Sequence, residues 1–211
     1  MSRAYDSAAA VMYASLLLAG LAIAQSPPTI VAAPDTVVEE TARLLDQSIE
    51  GRQDELKQDK AALYALIDEI LLPRFDRRYA AQLVLARHWR TASEEQRDQF
   101  VDAFYNNMMR LYAEAVLDFN IGRMEVFPFR GDATKKRVKV KTTMRLDDGT
   151  KVPVNYGLVR RDTGWKMFDV EIENISYVRN FKAELNTEIQ VEGLDGVIAR
   201  LEAKNNGSAA Q

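Results

Sequence analysis

The stretch Trp165 through Phe181 constrains this chain more than any other part of it. It opens as a strand. At period two, Trp165 and Met167 point to one face, and Phe168, Val170 and Ile172 to the other. Apolar residues on both faces mean that both are covered by other parts of the protein. The alternation breaks at Asn174-Ile175-Ser176, and Ser176 can cap a helix starting at Tyr177. Asp169 sits among apolar neighbours. A carboxylate there needs a fixed partner, because an unpaired buried charge is expensive.

The rest of the chain supplies the cover. Asp35 or Thr36 can cap a helix running to about Gln53, with a charged stretch from Gln53 to Lys57 after it. Asp59 can cap a second helix through Leu72, which Pro73 stops by removing a donor and restricting the residue before it. A short helix over about Asp76 to Arg87 follows. Ser93 then caps the longest helix, and Gln96 stands where a capping box needs it. Phe100, Phe104, Met108, Leu111, Tyr112, Ala115 and Phe119 recur at three and four, on one stripe. The second half alternates at period two. Arg123 to Phe129 reads as one strand. The set Val138, Val140, Thr142, Met144 and Leu146 defines the next. Asp147-Asp148-Gly149 turns the chain into a third strand, with Val152, Val154, Tyr156 and Leu158 inward. Asp162-Thr163-Gly164 turns again into the Trp165 strand. Two helices, about Tyr177 to Val191 and Leu194 to Lys204, close the chain. Helices, then strands, then helices describe an α+β fold: a helical layer packed on a twisted antiparallel sheet of about four strands.

Composition narrows the chemistry. The chain has no cysteine and one histidine, so thiolate chemistry, metal sites and histidine-based triads are poorly supplied. The net charge of -3 argues against nucleic acid, whose phosphates call for clustered Lys and Arg. The apolar run Ala8 to Ala24, with small residues at Ala22 and Ala24, reads as an export signal cleaved after Ala24. Residues 25–34 then form a flexible linker, 35–204 a single domain, and 205–211 a disordered tail. The expected location is beyond the cytoplasmic membrane.

Three spellings carry a family likeness. They are Leu72-Pro73-Arg74-Phe75-Asp76, the Trp89-Arg90 to Phe104 stretch with its Gln96-Arg97 pair, and Trp165 through Phe181. Tyr112, Val154 and Tyr156 also fall where the pattern expects them. In order and spacing, across about residues 35 to 202, the chain resembles the MlaC family, the periplasmic phospholipid-binding proteins of the toluene-tolerance type. It departs from the pattern at Asn174, where glycine is usual, and at Lys182, where arginine is usual.

The resemblance implies an apolar cavity between helices and sheet that holds a phospholipid with two acyl chains. An aromatic and methionine stripe is ordinarily solid core; the resemblance assigns part of it to the cavity wall. The implied lining is Leu66, Ile70, Phe75 and Tyr79 from the first helices, and Phe100, Phe104, Met108, Leu111 and Tyr112 from the long helix. The strands would add Val140, Met144, Val154, Tyr156, Val170 and Ile172, with Ile175 just beyond them. Implied partners are an outer-membrane lipoprotein bound to a porin and an inner-membrane ABC transporter with an MCE-domain subunit. The protein itself would be a monomer without cofactor. A related branch of the family is associated with hopanoids.

An enzyme remains the competing class: a hydrolase or isomerase using Asp76 or Asp169, both set among apolar residues. Capping, or pairing with an arginine such as Arg90 or Arg97, is the plainer role for either acid. His88 is assigned no role. The basic strand residues Lys135, Lys136, Lys139 and Lys141 are expected to be either a solvated face or a docking face.

Overall fold

A computed structural model of the chain describes residues 32–118, 124–146 and 148–207. The export signal, Phe119, Arg123 and Asp147 fall outside the described residues. Six helices come first: α1 (Pro34–Ile49), α2 (Gln53–Gln58), α3 (Lys60–Leu71), α4 (Arg77–Leu85), α5 (His88–Thr91) and α6 (Glu94–Asp118). Several caps are those the sequence announces. Asp59 accepts from Ala62 N at 2.9 Å. Ser93 and Gln96 close a reciprocal capping box at 3.0 and 3.1 Å. The start of α1 differs. Pro34, expected in the linker, is buried in the first turn, where its missing N–H costs nothing. Asp35 does not cap this helix; it accepts from Phe129 N at 2.9 Å and so ties α1 to the chain leaving the first strand. The charged stretch after α1 is itself the short helix α2, held by Leu56, which is fully buried.

The strands are β1 (Met124–Val126), β2 (Arg137–Arg145), β3 (Lys151–Arg161), β4 (Gly164–Ile172) and β5 (Ile175–Ser176). They form an antiparallel meander in chain order, one short strand more than expected. Arg74 to Asp76 add a parallel bridge along β4: Met167 N donates to Arg74 O at 2.8 Å and Asp76 N to Met167 O at 2.7 Å.

One correction bears on the site. The register of β3 on β4 shifts at Gly157/Leu158, pairing Tyr156 with Val170 and Leu158 with Met167. This bulge places two residues, Phe168 and Asp169, where regular pleating has one. Trp165, Met167, Val170 and Ile172 therefore share a face, instead of dividing between two. Phe168 turns the other way, and a Cβ on Gly157 would stand 3.1 Å from its ring.

The chain then turns through Glu173 and Asn174, with φ of 50° and 68°. This left-handed pair explains why glycine suits position 174 and why asparagine is tolerated there. The last helix, α7 (Tyr177–Gly207), is kinked at Gly193, whose φ of 76° and ψ of 170° are not helical. The two closing helices read from the sequence meet at this kink. Helix extends through the start of the expected tail, where buried Asn205 donates to Ala103 O at 3.0 Å; residues 208–211 lie outside the described residues.

Three apolar clusters hold the domain. One joins α4, α6 and α7 around Phe100, Phe104 and Phe181. Another joins α1, α2, α3 and α6 around Leu56, Leu63 and Ile67. The third sets Val38 of α1 on Val140, Leu158, Trp165 and Met167 of the sheet. Phe75 packs against all three.

Candidate functional site

The rephased sheet presents one continuous apolar face. Cross-strand rows run Met124–Met144–Val152, then Val126–Thr142–Val154–Ile172, then Val140–Tyr156–Val170, then Val138–Leu158–Met167. Cover over this face is uneven. Val140 and Leu158, beneath α1, are fully buried, whereas Met124, Val126, Tyr156, Val170 and Ile172 are only half-buried. Helix α6 does not supply the missing cover: its principal neighbours are α2, α3, α4 and α7, and none is a strand. Its own apolar stripe is likewise half-buried at Met108 and Tyr112 and open at Leu111, which is 57% exposed.

Phe75 links the two surfaces. It packs against the buried sheet cluster, as Met124, Val126 and Tyr156 do, and against both helical clusters, as Met108 does. Its ring centroid is 6.3 Å from that of buried Tyr105. Tyr112 meets Tyr177 edge-on with centroids 4.7 Å apart, so α6 and the start of α7 close on each other there. Burial pushes the Tyr112 hydroxyl up to about 12, with the neighbouring Tyr177 and Glu184 adding to the shift. The Tyr156 hydroxyl, also raised to about 12 by burial, donates to Met124 Sδ at 3.6 Å. Phenols that resist ionisation belong to apolar surroundings.

The sixteen residues anticipated for the lining divide into three groups. Ile70, Phe100, Phe104, Val140, Met144 and Val154 are buried; Phe100 and Phe104 stack with centroids 5.6 Å apart inside the helical cluster. Leu66, Phe75, Tyr79, Met108, Tyr112, Tyr156, Val170 and Ile172 are half-buried. Leu111 and Ile175 are exposed, Ile175 by 62%. The structure adds Met124, Val126, Leu71 and Tyr177 to the half-buried apolar set. Met124 and Val126 carry the period-two signal of the first strand. Tyr177 is signalled only by its place just after a cap.

The two suspect acids have structural partners. Asp76 accepts from Tyr79 N at 3.0 Å, capping α4, and from Arg161 Nε at 2.6 Å; the Arg161 guanidinium lies 4.9 Å from the centre of the Tyr79 ring. Asp169 accepts from Ser176 Oγ at 2.6 Å and Val178 N at 3.0 Å, and Ser176 Oγ in turn accepts from Arg179 N at 3.1 Å. The arginine on Asp76 is thus Arg161, neither Arg90 nor Arg97; Arg97 donates to Trp89 O at 2.8 Å. Lys139, expected on either a solvated face or a docking face, is paired with a carboxylate. Its ammonium donates to both oxygens of Glu171 at 2.8 and 2.9 Å, and that carboxylate also takes Asn155 and Arg179. The bond from Lys139 holds Glu171 below the usual carboxylate range, against the opposing effect of burial. Among the described residues no acidic or histidine cluster suits a metal ion.

An antiparallel meander with one apolar face half-buried beside a helical layer defines an α+β domain. The chain belongs to the MlaC family, whose sequence profile, described as MlaC protein, matches residues 39–203. It is 27% identical over 186 residues to the toluene tolerance protein ttg2D of Pseudomonas putida, covering 86% of each chain. It is 22% identical over 195 residues to the intermembrane phospholipid transport system binding protein MlaC of Haemophilus influenzae, covering 89% of this chain and 86% of that protein. Among solved structures it is similar to the phospholipid-binding protein from Ralstonia solanacearum in complex with a phospholipid. That match has a TM-score of 0.76 and 25% identity, covering 84% of this chain and 99% of the other.

Proposed function

We propose that this protein is a periplasmic phospholipid carrier, and that the acyl chains lie between the half-buried sheet face and the α6 stripe. The observation that carries the reading is the half-buried apolar strip at Met124, Tyr156, Val170 and Ile172, in a fold shared with a phospholipid-bound protein. Phe75 is the floor of this cleft, and exposed Leu111 and Ile175 are its lip. The fully buried members of the anticipated lining, Phe100 and Phe104 above all, support the wall from behind.

The energetics say how such a carrier works. Burying a methylene is worth ~0.8 kcal/mol, so a lipid with about 30 chain methylenes has a gross burial term of roughly 24 kcal/mol. A membrane offers nearly the same burial, so net preference is small while escape through water is very slow. Transfer therefore takes place in docked complexes. The partners that fit are those of the family: an outer-membrane lipoprotein–porin complex and an inner-membrane ABC transporter with an MCE-domain subunit. Shuttling between them maintains the lipid asymmetry of the outer membrane. A hopanoid is the alternative cargo. Enzymatic use of Asp76 or Asp169 is disfavoured, because each carboxylate is already committed to a helix cap and a side-chain partner.

Native mass spectrometry of the purified protein tests the reading. The expected result is a diacyl phospholipid adduct near one per chain, released by solvent extraction. A protein that stays empty after exposure to phospholipid vesicles would overturn it. A hopanoid adduct would keep the cleft and change the cargo.

A further inference from the structure

An open depression of about 520 Å³ lies between the end of α4 and one face of α7, lined by Ala86, Arg87, Arg179, Lys182, Ala183 and Asn186. From this surface we infer a docking site for an acidic polypeptide segment of a partner protein. The α7 residues stand at i, i+3, i+4 and i+7, which is one helical face. Three of the six lining residues are cations and none is an acid. Arg179 is partly spent on Glu171 at 3.2 Å. Among the described residues neither Arg87 nor Lys182 has a carboxylate partner; Arg87 Nε lies 3.4 Å from His88 Nε2. The same His88 Nε2 lies 3.1 Å from Asn186 Oδ1; when it carries the proton it donates there and releases Arg87, and when it does not it accepts from Arg87 instead.

Charge is segregated around α7. Glu188 and Glu192 pair with Arg200, and the charge of Glu184 acts on Tyr112. The basic face is thereby left undiluted, on a chain whose net charge is -3. Ala86 has φ 49° and ψ -110°, a conformation that residues with a Cβ rarely adopt. It is how α4 ends abruptly enough to set Arg87 beside α7.

The shape argues for a chain segment over a single ion. From Arg179 to Asn186 the helix rises about 10 Å, more than one phosphate spans, and the cations are solvent-exposed. Carboxylates spaced along a peptide could each meet one cation, with arginine accepting the bidentate geometry. The site adjoins the cleft through α7: Arg179 is two residues from Tyr177, whose ring meets Tyr112. A partner seated here would be held next to the lip. In naming the partner as a recipient or donor of lipid, the inference rests on the carrier reading.

The test is a fluorescence-anisotropy titration of the purified protein with a labelled, aspartate-rich octapeptide at low salt. Arg87→Glu with Lys182→Glu should weaken binding by about tenfold or more, and added salt should weaken it in the unmodified protein. Lys135→Glu with Lys136→Glu makes the same change of charge on another surface and should leave binding nearly unaltered. Equal losses in the two double variants would overturn the site, as would an unmodified protein that fails to bind the peptide. So would displacement of the peptide by an equal concentration of inorganic phosphate, which would mark a small-anion site. Binding to anionic phosphatidylglycerol vesicles through Arg87 and Lys182, with no peptide bound, would replace the protein partner with a membrane surface. Lipid content is read on the same samples, so failure of the carrier reading registers there and failure of docking in the titration.

Discussion

Asp169 holds the start of α7 with both carboxylate oxygens, one on Val178 N and one on Ser176 Oγ. Asparagine can accept only one of these two bonds. We expect Asp169→Asn to cost about 1–2 kcal/mol, the usual scale for a lost helix cap, and to lower lipid retention with it. Urea denaturation checks the first effect and extraction the second. Unchanged stability with loss of a hydrolytic activity would instead point to an enzyme. The phenols carry a pH signature. Tyr156 and Tyr112 are raised to about 12 when folded, against about 10 when unfolded. Their neutral forms therefore contribute stability that is intact below pH 10 and lost as pH rises from 10 towards 12. Tyr156→Phe should make the melting temperature fall less steeply over that window. Parallel slopes for the two proteins would show that Tyr156 titrates normally.

At the scale of elements, the proposed cleft sets the sheet against α6. Val154 of β3 is 6% exposed and lies in the row between Thr142 and Ile172, next to the open strip. Val154→Trp in a filled core would cost about 1–3 kcal/mol. Pushed towards a cleft it should cost less and expel lipid. A variant that melts early, or that keeps its full lipid complement, would place Val154 in solid core.

Much of this architecture is legible because local signals decide it. Asp59, the Ser93–Gln96 box, Pro73 and the Asp162-Thr163-Gly164 turn act within a few residues of themselves, and each does what its spelling announces. The bulge at Phe168–Asp169 is not legible in the same way. The adjacent apolar pair Met167-Phe168 changes the phase of the alternation, which regular pleating reads as two covered faces, and only pairing with β3 reveals the slip. Long-range partners are equally hidden: Arg161 on Asp76, Glu171 on Lys139, and Phe129 on Asp35 are separated by 85, 32 and 94 residues. For the site, periodicity names the apolar residues but not their depth. Phe104 and Met108 belong to the same stripe, and only the packing of α4 and α7 buries one and leaves the other half-open.

At the scale of the whole molecule, charge is organised by pairing as much as by number. Lys139 looks in the sequence like any other member of a basic strand face, yet it neutralises a carboxylate whose side chain is only 10% exposed. Lys139→Glu should therefore destabilise by about 1–2 kcal/mol, because it sets a second negative charge against Glu171. Lys141→Glu should stay within about 0.5 kcal/mol, as ordinary surface changes do. Chemical denaturation of the two variants separates them, and equal effects would mean that the Glu171 pairing contributes nothing. The margins of the sheet have a consequence of another kind. One is β1, three residues long; the other is β5, two residues long, continued along β4 by the backbone of Arg74 and Asp76. Neither of these two strands is itself a long row of free amides for a second copy. On the proposed function the protein must at some moment travel without lipid, with the half-buried sheet face unfilled. Beyond β1 the outer edge is the stretch of β2 before Lys141, which carries Arg137 and Lys139; short margins and like charges there disfavour backbone pairing between two copies that collide.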